Sequence, residues 1–202
     1  MKRIVGYLLI FGPAGLGFLA LLFDGIEFFD VFHHGKRMAG LLGMAFLAGQ
    51  FLAASRLPVL EQIFGQTVLV LYQRILGMLG LLMIFLHGFL DFQFQMLSWG
   101  RILLDLPYDL PKIPGMIAAA LLIVVALPAL RRNRLKVSYD LWTIIHRMTY
   151  IIFPLVLVHA FFLGTTIRYQ PLAMLFWIFC TGLYVLVLVY RICLWIRKKQ
   201  SN

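Results

Sequence analysis

The sequence predicts an all-α integral membrane protein, a bundle of six transmembrane helices. Three observations carry this. Apolar residues make up 62% of the 202 positions and charged residues 13%, against about 45–50% and about 25% in soluble domains. The mean hydropathy is +0.93. And the apolar residues fall into six runs, each near the roughly 20 residues a helix needs to cross a hydrocarbon core of about 30 Å. A chain this short cannot hide so much apolar surface inside itself, so its exterior must be apolar. Soluble globular, disordered and disulfide-scaffold classes are excluded.

The spans are read as Ile4–Phe23, Met38–Ser55, Thr67–Leu90, Ile113–Leu130, Leu141–Leu163 and Pro171–Leu194. Lys2 and Arg3 resemble the start of a signal peptide. The apolar run that follows is too long for one, and no A-x-A site precedes Asp24, so an uncleaved first span is expected. Gly12, Gly15 and Gly17 lie inside that span with no strand before them. They are expected to permit close helix packing and do not form a dinucleotide fingerprint. The connections are short, and the whole chain, 1–202, is expected to be one transmembrane domain. Cys180 and Cys193 share the sixth span, a spacing that suits neither a disulfide nor zinc; buried reduced thiols are expected.

The formal charge of +10 sorts by side. Lys2, Arg3, Arg56, Arg74, Arg147, the Arg131–Lys136 connection and the Arg191–Lys199 tail share one face. Lys36, Arg37, Arg101, Lys112 and Arg168 lie on the other, together with six of the eight acids. The positive-inside rule then places both termini in the cytoplasm. The charge records orientation, and no nucleic-acid partner is expected.

Three histidines lie within spans: His87, His146 and His159. Ionisable groups in a membrane are costly and need a reason. A lone one is well explained by a hydrogen bond between helices. Here His87 and His159 fall near the outer ends of the third and fifth spans, at one level on two helices. Two neutral imidazoles offered to one metal is the geometry of bis-histidine haem in a bundle. No third ligand accompanies them, so haem iron fits better than a bare metal. His146 lies thirteen residues before His159, about 20 Å along a helix. Thirteen steps do not return to one face, and Pro154, between the two, is expected to kink the helix and re-aim one ring. Gln73, fourteen residues before His87, stands where a fourth histidine would complete an inner pair with His146.

The second and third spans read GQFLAASRLPVLEQIFGQTVLVLYQRILGMLGLLMIFLH, from Gly49 to His87, and the fifth reads SYDLWTIIHRMTYIIFPLVLVH, from Ser138 to His159. On these segments the chain resembles the ferric-reductase-like transmembrane domain family. That family includes NADPH oxidases, ferric reductases and the haem-bearing membrane subunit of the bacterial periplasmic methionine-sulfoxide reductase system. The fifth-span motif is the specific one. The resemblance implies haem ligands at His87, His146 and His159, with haem between helices 3 and 5. Gln73 departs from the family pattern, where most members have histidine. The methionine-sulfoxide reductase subunits also lack that histidine, and STEAP-type metalloreductases use one haem with a flavin near the inner level. One haem b, or two, or one with FMN or FAD at the inner site, are therefore the open cofactor sets.

Arg74 and Arg147 follow the two inner positions and would pair with haem propionates or a flavin phosphate; snorkelling to the inner interface is the alternative. Lys36, Arg37, Arg101 and Arg168 are the outer propionate candidates. His33 and His34, near Glu27 and Asp30, form a conceivable metal-docking site, though solvated loop histidines are the commoner case. Tyr139, Trp142 and Tyr150 flank His146, as an interfacial aromatic belt or the wall of a cofactor pocket.

The function expected is a membrane b-type cytochrome. It would pass electrons from a cytoplasmic flavin reductase partner or the quinone pool to an outer acceptor: ferric iron, dioxygen or a periplasmic reductase subunit. The family's FAD/NADPH domain is not among these residues, so the chain is read as an oxidoreductase component, expected in a bacterial inner membrane. A haem-bearing anchor subunit of a larger complex, and a haem-free transporter or packing subunit, are the competing classes.

Overall fold

The computed structural model describes residues 2–22, 31–99, 110–135, 138–164 and 170–200. Among them there is no strand. The helices are α1 (Lys2–Leu22), α2 (Val31–Ala54), α3 (Pro58–Phe64), α4 (Gln66–Trp99), α5 (Ile113–Leu135, entered by a 3-10 turn at Leu110–Lys112), α6 (Tyr139–Arg147), α7 (Thr149–Leu163) and α8 (Pro171–Gln200).

Five stretches are long and apolar enough to cross a membrane: His34–Ala54, Gln66–Gln93, Leu110–Pro128, Asp140–Leu163 and Pro171–Arg197. They coincide with the second to sixth expected spans. The first expected span is helical too, but its apolar stretch, Ile4–Leu19, is shorter than the other five. Large apolar side chains stand on the surface, Phe161 at 67% exposure and Leu82 at 58% among them. A lipid solvent explains that distribution, and water does not.

The chain divides into two compact units, residues 1–98 with 169–202 and residues 99–168. In the first, α1 packs on α2, α3 and α8. Its core holds Ile10, Leu52, Leu60, Leu69, Leu76, Leu183 and Val187. Small residues set the spacing, as membrane helix packing requires. A Cβ on Gly49 would stand 2.6 Å from the Ile10 carbonyl oxygen, so α1 and α2 touch backbone to backbone there. Gly17 meets Phe176 and Ala45 at van der Waals distance, as expected, whereas Gly12 and Gly15 have nothing within 4 Å. The close packing expected of all three belongs to Gly17 alone. Gly6, against Phe64, and Gly49 supply the rest.

The link between the second and third spans carries an unexpected helix, α3, begun by Pro58 at its first turn and ended by Gly65 at φ 75°. Before it, Arg56 adopts a left-handed φ of 56°, which a residue with a Cβ adopts only when its surroundings hold it there. Buried Ser55 gives its hydroxyl to the Leu52 carbonyl at 2.6 Å and receives the Leu57 N–H at 3.3 Å. From α8, Arg191 donates to the Ala54 carbonyl at 2.8 Å and the Tyr190 hydroxyl to the Arg56 carbonyl at 3.3 Å.

The second unit pairs α5 with α7, burying Ala118, Leu122, Val125, Ile152 and Phe153. The fifth expected span is two helices. Ser138 caps α6 by accepting the Leu141 N–H, and the interruption falls at Met148, whose N–H turns to the Ile145 carbonyl at 3.0 Å. The Thr149 hydroxyl takes the His146 carbonyl at 2.7 Å. α7 runs through Pro154 without an interruption of its helical assignment. The ring removes one backbone bond there, while at Met148 the backbone itself changes partner. Cys180 is buried, as expected, but Cys193 is exposed; both are free thiols.

Candidate functional site

In the first unit, α2 and α4 run antiparallel along a glycine seam. A Cβ on Gly35 would meet Leu90, on Gly40 His87, on Gly43 Met83 and Ile84; from the other side, Gly80 faces Leu47 and Gly77 faces Gln50. His87 is thus the side chain filling the notch at Gly40, where an added Cβ would come within 3.1 Å of its Nδ1. The ring reaches through that notch to the carbonyl of Lys36, one turn earlier on α2, at 2.7 Å. A carbonyl only accepts, so Nδ1 carries the proton.

Lys36 holds α4 a second time. Its ammonium pairs with Asp91 at 3.0 Å, with 16% and 30% of the two side chains exposed. Asp91 lies four residues after His87, on the same helix face. Lys36 is thus engaged by Asp91, which bears on its expected propionate role.

The second unit repeats the device. His159 on α7 lies against Gly115 on α5, where a Cβ would stand 2.5 Å from its Nδ1. Its Nδ1 donates to the carbonyl of Pro111, four residues before that glycine, at 3.3 Å. In both units an acceptor carbonyl is followed four residues later by a glycine, one helical turn along, and the ring enters where the Cβ is missing. In the neutral ring, donation from Nδ1 means the Nδ1–H tautomer, which leaves the lone pair on Nε2. A hydrogen bond of this kind fixes an imidazole's orientation and strengthens its other nitrogen as a metal ligand.

His146 sits in the last turn of α6, half-buried. Trp142, one turn earlier, stacks on it with ring centroids 5.0 Å apart and planes 11° from parallel. The aromatic residue expected to flank this histidine does so directly. Gln73 lines a cavity of about 60 Å³ with Arg56, Glu61, Gln66 and the apolar Ala53, Leu69 and Val70. Arg74 and Arg147 are exposed.

The family model for the ferric reductase like transmembrane component matches residues 39–157. The chain belongs to this family. The resemblance read from the two motifs is thereby shown, and this ferric-reductase-like domain is an integral, multi-pass membrane protein. The matched range takes in Gln73, Arg74, His87, His146 and Arg147 and stops two residues before His159. No curated protein matches the chain.

Among the described residues, no three His, Cys, Asp or Glu side chains gather as a metal cluster. A haem asks less of the protein, since the porphyrin supplies four of the six ligands and the chain only the axial ones. Arg101, Arg168, Glu27 and Asp30, and the side chain of His33, lie outside the described residues, so the expected docking site at His33 and His34 and two propionate candidates have no structural description.

Spacing pointed to the histidines. It did not point to Gly40, Gly115, Asp91 or the carbonyls of Lys36 and Pro111. A signal was present: each histidine span is preceded by a span that places a glycine near its first turns.

Proposed function

We propose that this ferric-reductase-like domain is a membrane b-type cytochrome, with His87 and His159 as axial haem ligands. The observation that carries the reading is the shared preparation of the two rings. Each is seated in a glycine notch, and each has its Nδ1 proton held by a backbone carbonyl. A histidine placed only for packing has no need of the same tautomer, acceptor spacing and notch as another in a separate unit. Haem bound there would carry single electrons between its ferric and ferrous states. The residues around it fix ring orientation, exclude water and set the ligand strength.

His146, walled by Trp142, would face a second, inner cofactor: a weakly held haem or a flavin, with Gln73 as a further inner residue and Arg74 and Arg147 available to propionates or phosphate. Electrons would enter from a cytoplasmic flavin reductase or the quinone pool. They would leave at the outer face to ferric iron, dioxygen or a periplasmic reductase subunit.

The test is haem and flavin quantification on the purified chain, with absorption spectra of His87→Ala and His159→Ala. A Soret band lost or converted to a five-coordinate form in both variants is the expected result. No Soret band in the wild type, or one unchanged in both variants, overturns the reading.

A further inference from the structure

We propose that the Lys36–Asp91 ion pair positions His87 and makes it the stronger electron donor of the two axial histidines. The inference rests on the haem reading above and deepens it. Lys36 grips α4 at two points: its carbonyl accepts His87 Nδ1 at 2.7 Å, and its ammonium meets Asp91 Oδ1 at 3.0 Å. His87 and Asp91 are one turn apart on the same face, about 6 Å along the axis. The side-chain contact therefore fixes how far α2 can slide or rotate against α4, and with it the length of the His87 hydrogen bond. The lysine side chain is mostly buried, so the pair works in a medium where attraction between charges exceeds that in water.

The other notch provides the comparison. The acceptor for His159 is the carbonyl of Pro111, whose side chain bears no charge, and the bond is longer, 3.3 Å. A shorter Nδ1–H···O=C bond pushes electron density toward Nε2. Of the two similar seats, the one whose acceptor residue carries the Asp91 ion pair holds the shorter bond.

The measurement is the haem midpoint potential of Lys36→Met and Asp91→Asn in the purified full chain, with spectra of the oxidised and reduced forms. Loss of the pair lengthens the His87 bond in either variant, weakens the ligand and destabilises the ferric state. Both potentials are expected to rise. Because each change alone abolishes the same contact, the double variant is expected to rise no further than the larger single. A field effect of the charges alone behaves otherwise: removing a positive group lowers the potential and removing a negative one raises it. Opposite shifts, or none, in a chain whose haem depends on His87 overturn the positioning role and leave the haem reading standing. A wild-type chain without haem overturns both. Where the single variants lose haem altogether, Lys36→Asp combined with Asp91→Lys restores the pair and is expected to restore haem; failure to do so overturns the proposal.

Discussion

Gly40 and Gly115 do the same work with different margins. A Cβ would approach His87 Nδ1 to 3.1 Å at Gly40 and His159 Nδ1 to 2.5 Å at Gly115. Neither imidazole can bend away as a flexible chain end can, because its Nδ1 is tied to a carbonyl. Overpacking of this kind costs about 1–3 kcal/mol. Gly115→Ala is expected to displace His159 and lower haem retention at least tenfold, while Gly40→Ala lowers it several-fold less. Haem-to-protein ratios of the two variants, purified side by side, check the order. Equal retention would show that the notches do not seat the rings. The sequence alone gave the two histidines but hid these glycines. A glycine in a membrane helix has many uses, and its specific one depends on which side chain arrives opposite it.

In the first unit α1 and α2 make a close backbone approach. Gly49 lies 2.6 Å, at the Cβ position, from the Ile10 carbonyl oxygen, whereas Gly12 has open space beside it. Gly49→Ala is expected to lower stability by roughly 1–3 kcal/mol, since neither backbone can yield cheaply. Gly12→Ala is expected to raise it by about 0.5–1 kcal/mol through helix propensity. Thermal unfolding in detergent reads both, and a Gly49→Ala chain as stable as the wild type would refute the close approach. The turn after α2 shows how an element is held from a distance. Arg56 remains left-handed at φ 56° while Tyr190 and Arg191 of α8 take the carbonyls of Arg56 and Ala54. Arg56→Gly removes the Cβ strain and is expected to be neutral or stabilising by up to about 1 kcal/mol. The periodicity of the spans was legible in the sequence. The break at Met148 was not, because a local change of backbone partner leaves no mark in an apolar run.

For the whole molecule, the proposed cofactor count can be tested at Gln73. It lies fourteen residues before His87, about 21 Å along α4, near the same face. If the inner level accepts haem, Gln73→His supplies the missing ligand, and the haem-to-protein ratio is expected to rise from one toward two. An unchanged ratio with bound flavin in the wild type would assign that level to flavin.

The sequence by itself determined the solvent and the class. Apolar runs of membrane length and the residues of the fifth-span motif are linear features, readable without knowing which helix meets which. Three of its histidines stood out for the same reason: in apolar surroundings an ionisable group is conspicuous by type and position alone. Only the tertiary structure decided how the histidines are held. The Nδ1 bonds to Lys36 and Pro111 join residues 51 and 48 positions apart. The glycine notches and the Lys36–Asp91 pair likewise exist only between helices. A hydrogen bond to a backbone carbonyl leaves no trace in residue type, since every residue carries that carbonyl, so packing alone could reveal which ones the histidines use.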